Sequence, residues 1–135
     1  MTTTKKTYIE AIGRRKTASA RVRITKAKEN RVLVNDRALA DYFYASTLQK
    51  NVLNVFETPD AGIDTYEVTA KVTGGGLSAQ SDAIKLAIAR ALVKEKADRR
   101  TVLKRAGYLK RDPRAVERKK FGLLKARKRP QWAKR

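Results

Sequence analysis

The chain has 135 residues with 33 Lys plus Arg against 13 Asp plus Glu, a formal net charge of +20, and contains neither His nor Cys. This composition excludes a disulfide framework, a thiolate nucleophile, a zinc site built on Cys or His, and a histidine general base. With 41% hydrophobic residues the length fits one domain with a modest core, whose excess charge opposes compaction until a polyanion neutralises it.

The start, MTTTKKTYIEAIG, lacks the apolar core of a signal peptide, and no run approaches the roughly 20 apolar residues of a membrane helix. A cytoplasmic protein with no membrane partner is the expectation. Residues alternate from Thr7 to Gly13 and again from Thr17 to Lys26, where Ala18, Ala20, Val22 and Ile24 share one face and Thr17, Ser19, Arg21, Arg23 and Thr25 the other. The spacing predicts two strands, the second half-buried with a cationic outer face. Lys28-Glu29-Asn30 supplies turn chemistry before Val32-Leu33-Val34, which predicts a hairpin-like return.

Asn35-Asp36 offers an N-cap to a short helix over about Ala38 to Tyr44, and Ser46 offers one to a second helix over about Thr47 to Phe56. Pro59, Asp60 and Gly62 end that segment. Tyr66, Val68, Ala70 and Val72 then alternate with Glu67, Thr69, Lys71 and Thr73, a strand that stops at Gly74-Gly75-Gly76. Ser78 can cap a helix running to about Lys96, with Ile84, Ala87, Ile88, Ala91 and Leu92 as the stripe that lies on a sheet. Asp98 can cap one more helix, closed by Gly107. The sum is an α+β two-layer body over residues 1–108 and an extended basic tail over 109–135, without order until RNA is bound.

Charge divides unevenly along the chain. Residues 1–98 hold 17 basic and 11 acidic side chains, net +6, whereas 99–135 hold 16 basic and 2 acidic, net +14. In the tail the apolar residues Val116, Phe121, Leu123, Leu124 and Trp132 are too sparse for a core, and clusters of cations alternate with Gly, Pro and single aromatics. That is the composition of an RNA-threading extension, and at about 3.3 Å per residue it reaches roughly 85 Å. Eight such cations on phosphates give a log-log salt slope of about −6. A membrane surface would attract the charge too, but the tail has no amphipathic face to bury.

Two further features concern the body. Gly13-Arg14-Arg15-Lys16, continued by Arg21 and Arg23, reads as a phosphate-tracking stripe, against the alternative of a solvated hairpin loop. Gly74-Gly75-Gly76 before a helix either exposes backbone N–H groups to a phosphate or only turns the chain, and lacks the Gly-Lys-Ser/Thr ending of a P-loop. Catalysis finds few parts. The carboxylates are dispersed, and the pair Asp60 and Asp64 beside Gly62 reads as turn chemistry, so no enzyme, metal, cofactor or small-molecule substrate is expected.

At these residues the chain resembles the small ribosomal subunit protein nine family, of bacterial type by its length. The resemblance runs through Gly13 to Val22, through Gly74-Gly75-Gly76-Leu77-Ser78-Ala79-Gln80-Ser81-Asp82-Ala83-Ile84-Lys85, through Asp112 to Gly122, and to the ending in Lys134-Arg135. It departs at Ala79, where another glycine is usual, at Ser81, where a small apolar residue is common, and at Trp132-Ala133, in place of Phe or Tyr followed by Ser. The resemblance implies a fold like domain 2 of ribosomal protein five, with helices on one face of a roughly four-stranded sheet, and a seat among neighbouring proteins of the small-subunit head. It further implies that Arg14, Arg15, Lys16, Arg114, Arg118, Lys119, Lys120, Lys125, Arg127 and Lys128 hold ribosomal RNA, as the cationic face already suggests for Arg21 and Arg23. Lys134 and Arg135, with Arg129 behind them, are then the contacts to the anticodon stem-loop of the peptidyl-site transfer RNA. The reading that competes is a free-standing RNA chaperone or a nucleoid-type nucleic-acid-binding protein.

Overall fold

The computed structural model describes residues 7–59 and 61–135. Strands β1 (Ile9–Arg15) and β2 (Ala18–Lys26) form an antiparallel hairpin, with Ile9 opposite Ile24 and Arg15 opposite Ala18. The chain continues through β3 (Arg31–Val34), β4 (Arg37–Ala38), α1 (Leu39–Tyr42), α2 (Ser46–Leu53), β5 (Tyr66–Thr73), α3 (Leu77–Glu95) and α4 (Arg99–Arg105). One five-stranded sheet results, in the order β1-β2-β5-β3-β4, with helices packed on one face. The α+β architecture expected from the sequence is present, with a fifth strand of two residues added at its edge.

The expected hairpin-like return from β2 to β3 does not form. β5 lies between them, antiparallel to β2 from Ser19 opposite Thr73 to Lys26 opposite Tyr66, and parallel to β3 from Arg31 opposite Glu67 to Val34 opposite Ala70. β5 carries the alternation Tyr66, Val68, Ala70, Val72 over eight residues, all buried, so the central position gives it two flanking ladders. The four-residue β3 is too short to hold β2 by itself.

Capping also differs from expectation. Asn35 and Asp36 have φ of 48° and 65° and form the two-residue turn between Val34 and Arg37, not a helix cap. Two left-handed residues match the twist of a tight hairpin, and Asn and Asp tolerate that region. The Asn35 amide then extends the sheet: its Oδ1 accepts from the Val72 N–H at 2.9 Å and its Nδ2 donates to the Val72 carbonyl at 3.1 Å. Ser46 and Ser78 fall inside their helices, whose cap positions are Ala45 and Gly76, and Asp98 has helical angles and makes no side-chain cap bond. Gly107 behaves as expected: at φ 82° it ends α4, its N–H bonding to the Lys104 carbonyl and that of Tyr108 to the Leu103 carbonyl, the double closure of a Schellman motif.

The core joins Val22, Ile24, Val34, Val68 and Val72 of the sheet to Ile84, Ile88 and Leu92 of α3 and Leu103 of α4. Burying each such side chain contributes about 1.5–3 kcal/mol. α3 lies mainly on β1 and β2, and the small Ala83 and Ala87 let it approach closely. A Cβ on Gly13 would stand 2.0 Å from the Ala83 carbonyl oxygen and 2.7 Å from the Ala87 nitrogen. β1 is an edge strand, and α3 reaches over it: Arg90 donates to the Ile12 carbonyl at 2.7 Å and Lys94 to the Glu10 carbonyl at 3.2 Å.

Candidate nucleic-acid interface

Alternation divides the sheet residues between a helix-covered face and an open one. The register puts Glu10, Ile12 and Arg14 of β1, Ser19, Arg21, Arg23 and Thr25 of β2, and Thr69, Lys71 and Thr73 of β5 on the open face. Arg21 stands directly opposite Lys71, a like-charge pair that favours an intervening anion. Glu10 partly neutralises this face, accepting from Arg23 Nε at 2.7 Å and lying 3.5 Å from Arg21 Nε. The hydrogen bond from Arg23 holds the Glu10 carboxyl below its ordinary value. Lys71, which the sequence reading left out of the site, has no acidic partner among the described residues; its outward place in the β5 alternation was the available signal.

The three cations Arg14, Arg15 and Lys16 do not form one patch. Arg14 faces outward and Lys16 occupies the hairpin turn at φ 52°. Arg15 sits on the helix side with its side chain 12% exposed, 3.5 Å from Asp82 and 3.3 Å from Asp112. Its Nη1 donates to the Arg114 carbonyl at 2.6 Å and to the Asp112 carbonyl at 3.3 Å. Arg15 therefore ties the root of the tail to the body, and its charge is taken up inside the protein.

Beyond that root the tail has no helix or strand, and Phe121, Trp132 and Val116 are 98%, 81% and 90% exposed. Its two acids are both engaged, Asp112 by Arg15 of the body as well as by its tail neighbour. Asp112 accepts from the Arg114 N–H at 3.0 Å and from Arg114 Nη2 at 2.8 Å, and the Arg114 guanidinium holds its carboxyl well below the usual carboxylate range. Glu117 pairs with Lys120 and, at 2.9 Å, with Arg127. Arg118, Lys119, Lys125, Lys128, Arg129, Lys134 and Arg135 have no acidic partner among the described residues, so the extension presents open cations beside bare aromatic rings.

Gly74 and Gly75 have φ of 75° and 63°, and a Cβ on Gly74 would meet the Thr17 carbonyl oxygen at 2.6 Å. Their glycines are accounted for by the turn and its approach to the hairpin. Gly76 has φ −90° and open space where a Cβ would be. Ala79, at the position of an expected glycine, is buried, and Ser81 is buried with its hydroxyl donating to the Ser78 carbonyl at 2.9 Å.

Arg99 belongs to the basic block by sequence, yet it is 2% exposed. It donates to Glu95 at 2.8 Å, to the Tyr66 hydroxyl at 3.1 Å, and to the Ala61 and Gly62 carbonyls at 3.2 and 2.9 Å. The Tyr66 hydroxyl donates to Glu95. Burial pushes the Glu95 carboxyl up, but the hydrogen bonds from Tyr66 and Arg99 and the charges of Arg99 and Lys26 outweigh it, and the net shift is downward. Burial also raises the Tyr66 phenol, to about 12. No periodicity marks Arg99 as buried. Asp60, of the pair weighed as a metal or turn site, lies outside the described residues; Asp64 is 3.6 Å from Lys26 Nζ.

The two-layer α+β body thus carries a cationic open sheet face and an exposed cationic, aromatic-bearing extension, a charge distribution that attracts polyanions. The sequence profile of ribosomal protein S9/S16 matches residues 13–135. Small ribosomal subunit protein uS9 of Nocardia farcinica (strain IFM 10152) is 46% identical over 127 residues, which cover 94% of this chain and 75% of that protein. The chain belongs to the ribosomal protein S9/S16 family, and its fold agrees with that membership.

Proposed function

We propose that this protein is a structural constituent of the small ribosomal subunit in the cytoplasm, seated among neighbouring proteins of the subunit head. In this reading the body docks on folded ribosomal RNA through Arg14, Lys16, Arg21 and Arg23. The tail neutralises RNA phosphates along Arg114, Arg118, Lys119, Lys120, Lys125, Arg127 and Lys128, taking its order from RNA. Its end, with Arg129, Lys134 and Arg135, reaches the anticodon stem-loop of the peptidyl-site transfer RNA. The observation that carries the reading is the tail itself, with net +10 over residues 109–135 and unpartnered cations and rings beyond the body. Such contacts position RNA and stabilise it without selecting base sequence.

Gradient sedimentation of a lysate tests it. The protein is expected to move stoichiometrically with the small subunit; recovery in the soluble pool or with DNA would favour a free chaperone or nucleoid protein instead. Deleting residues 133–135 is expected to leave subunit assembly intact and to weaken peptidyl-site transfer RNA binding several-fold, because two phosphate contacts are lost. Transfer RNA affinity unchanged across several magnesium concentrations would remove the tail end from that role.

A further inference from the structure

The tip of the β1–β2 hairpin and the root of the tail, about 97 residues apart in sequence, meet across a hollow of about 200 Å³. Arg14, Lys85, Lys110 and Arg111 line it, with Asp82 and Asp112 as its acids. Both acids are occupied: Asp82 by Arg15, by the Asn51 amide at 2.8 Å and by Lys85 at 3.8 Å, and Asp112 by Arg15 and Arg114. A second hollow of about 340 Å³ shares Arg15 with the first and is lined further by Lys16, Arg114, Ala115 and Val116.

We infer that this groove is a binding site for the phosphodiester backbone of RNA, with Lys16, Lys85, Lys110 and Arg111 as its cations. The inference rests on the RNA-binding reading above and specifies where, on the body, a strand is held. Cations from three separate stretches of chain converge there, and the nearby carboxylates are already paired, so the field left in the groove is positive. Arg15 is the positioning residue. Its guanidinium pairs with both acids, alongside Lys85 on Asp82 and Arg114 on Asp112, and bonds the carbonyls of Asp112 and Arg114, which ties the two sides of the groove together. Adjacency decides between a free anion and a polymer: the two hollows lie on either side of Arg15, and the second is lined by residues 114–116 of the tail, so successive phosphates can follow one another from the body toward the tail.

The test uses the full-length protein and a 12-nucleotide oligouridylate, with affinity measured from low to moderate salt. Lys85→Gln/Lys110→Gln/Arg111→Gln is compared with Lys28→Gln/Lys50→Gln/Lys96→Gln, which removes the same charge from exposed positions elsewhere. The groove variant is expected to reduce the log-log salt slope by about 2 and the affinity by about tenfold or more at low salt, the control by less than half as much in slope. Equal losses in the two variants would overturn the groove while leaving the wider reading in place; a wild-type protein without steep salt dependence would overturn that wider reading. Because Lys85 also bonds Asn51 at 3.0 Å, the pair Lys110→Gln/Arg111→Gln serves as a second variant, expected to lower the slope by about 1.4. Inorganic phosphate, titrated at matched ionic strength against the amide resonances of Lys110 and Arg111, separates the two sources of the anion. Saturation at roughly 1 mM or below would reassign the groove to the free ion and overturn the inference.

Discussion

Gly13→Ala is expected to lower the unfolding free energy by about 3 kcal/mol, at the upper end of what overpacking a core costs. The added methyl would stand 2.0 Å from the Ala83 carbonyl oxygen and 2.7 Å from the Ala87 nitrogen. Both are backbone atoms of a 19-residue helix, so no flexible side chain can yield, and α3 must lift from β1 along its length. That movement also draws Arg90 and Lys94 away from the Ile12 and Glu10 carbonyls. Gly76→Ala is the contrast. Its φ is −90° and nothing lies within 4 Å of the added carbon, so the cost is that of a poorer helix cap, under about 1 kcal/mol. Urea unfolding of the two variants measures the difference, and a Gly13→Ala protein as stable as Gly76→Ala would contradict the packing described.

Arg99→Met is expected to cost about 3–5 kcal/mol, the penalty of removing one partner from a buried ion pair. Glu95 would keep Tyr66 and Lys26, the latter at 3.6 Å, but the Ala61 and Gly62 carbonyls would lose the donors that hold the segment entering β5. The same cluster sets a pH window. The folded Glu95 carboxyl lies below its ordinary value, so its contribution is complete above the unfolded carboxylate value of about 4.3 and is lost as pH falls toward the lower folded one. The Tyr66 phenol is raised to about 12. Its contribution is complete below the unfolded value of about 10 and is lost as pH rises between the two. Urea midpoints from pH 3 to 11 should show both limbs, the acid limb shallower in Glu95→Gln and the alkaline limb shallower in Tyr66→Phe. A loss below about 1 kcal/mol in Arg99→Met would show that the cluster is not a stabilising centre.

What the sequence made legible was local. The alternation in β2 and β5 and the apolar stripe of α3 follow from the side-chain periods of strands and helices, and each element falls where its pattern places it. Strand order was not legible, since Val32 to Val34 carries no mark of which neighbour it will meet, and β5, distant in sequence, holds the larger apolar row. Asn35-Asp36 was ambiguous for a physical reason: the same short polar side chains serve caps and left-handed turns. Adjacent charges also carry no sign of direction. Arg14 and Arg15 are neighbours on a pleated strand, so one turns to solvent and the other beneath the helix, and Arg99 reads as part of a basic run until Tyr66 and Glu95 are seen around it. The concentration of positive charge toward the C-terminal end was legible from the residues alone, but that its first members belong to α4 and the body was not.

The side chains that reach over β1 bear on the solubility of the free protein. An edge strand with free carbonyls is a template on which another copy can add a strand. Here Arg90 and Lys94 already occupy the Ile12 and Glu10 acceptors, and the opposite edge, β4, is only two residues long. The sheet thus ends in a pair of charges on one side and in a stub on the other, and growth of aggregates by edge-to-edge pairing is blocked in both directions.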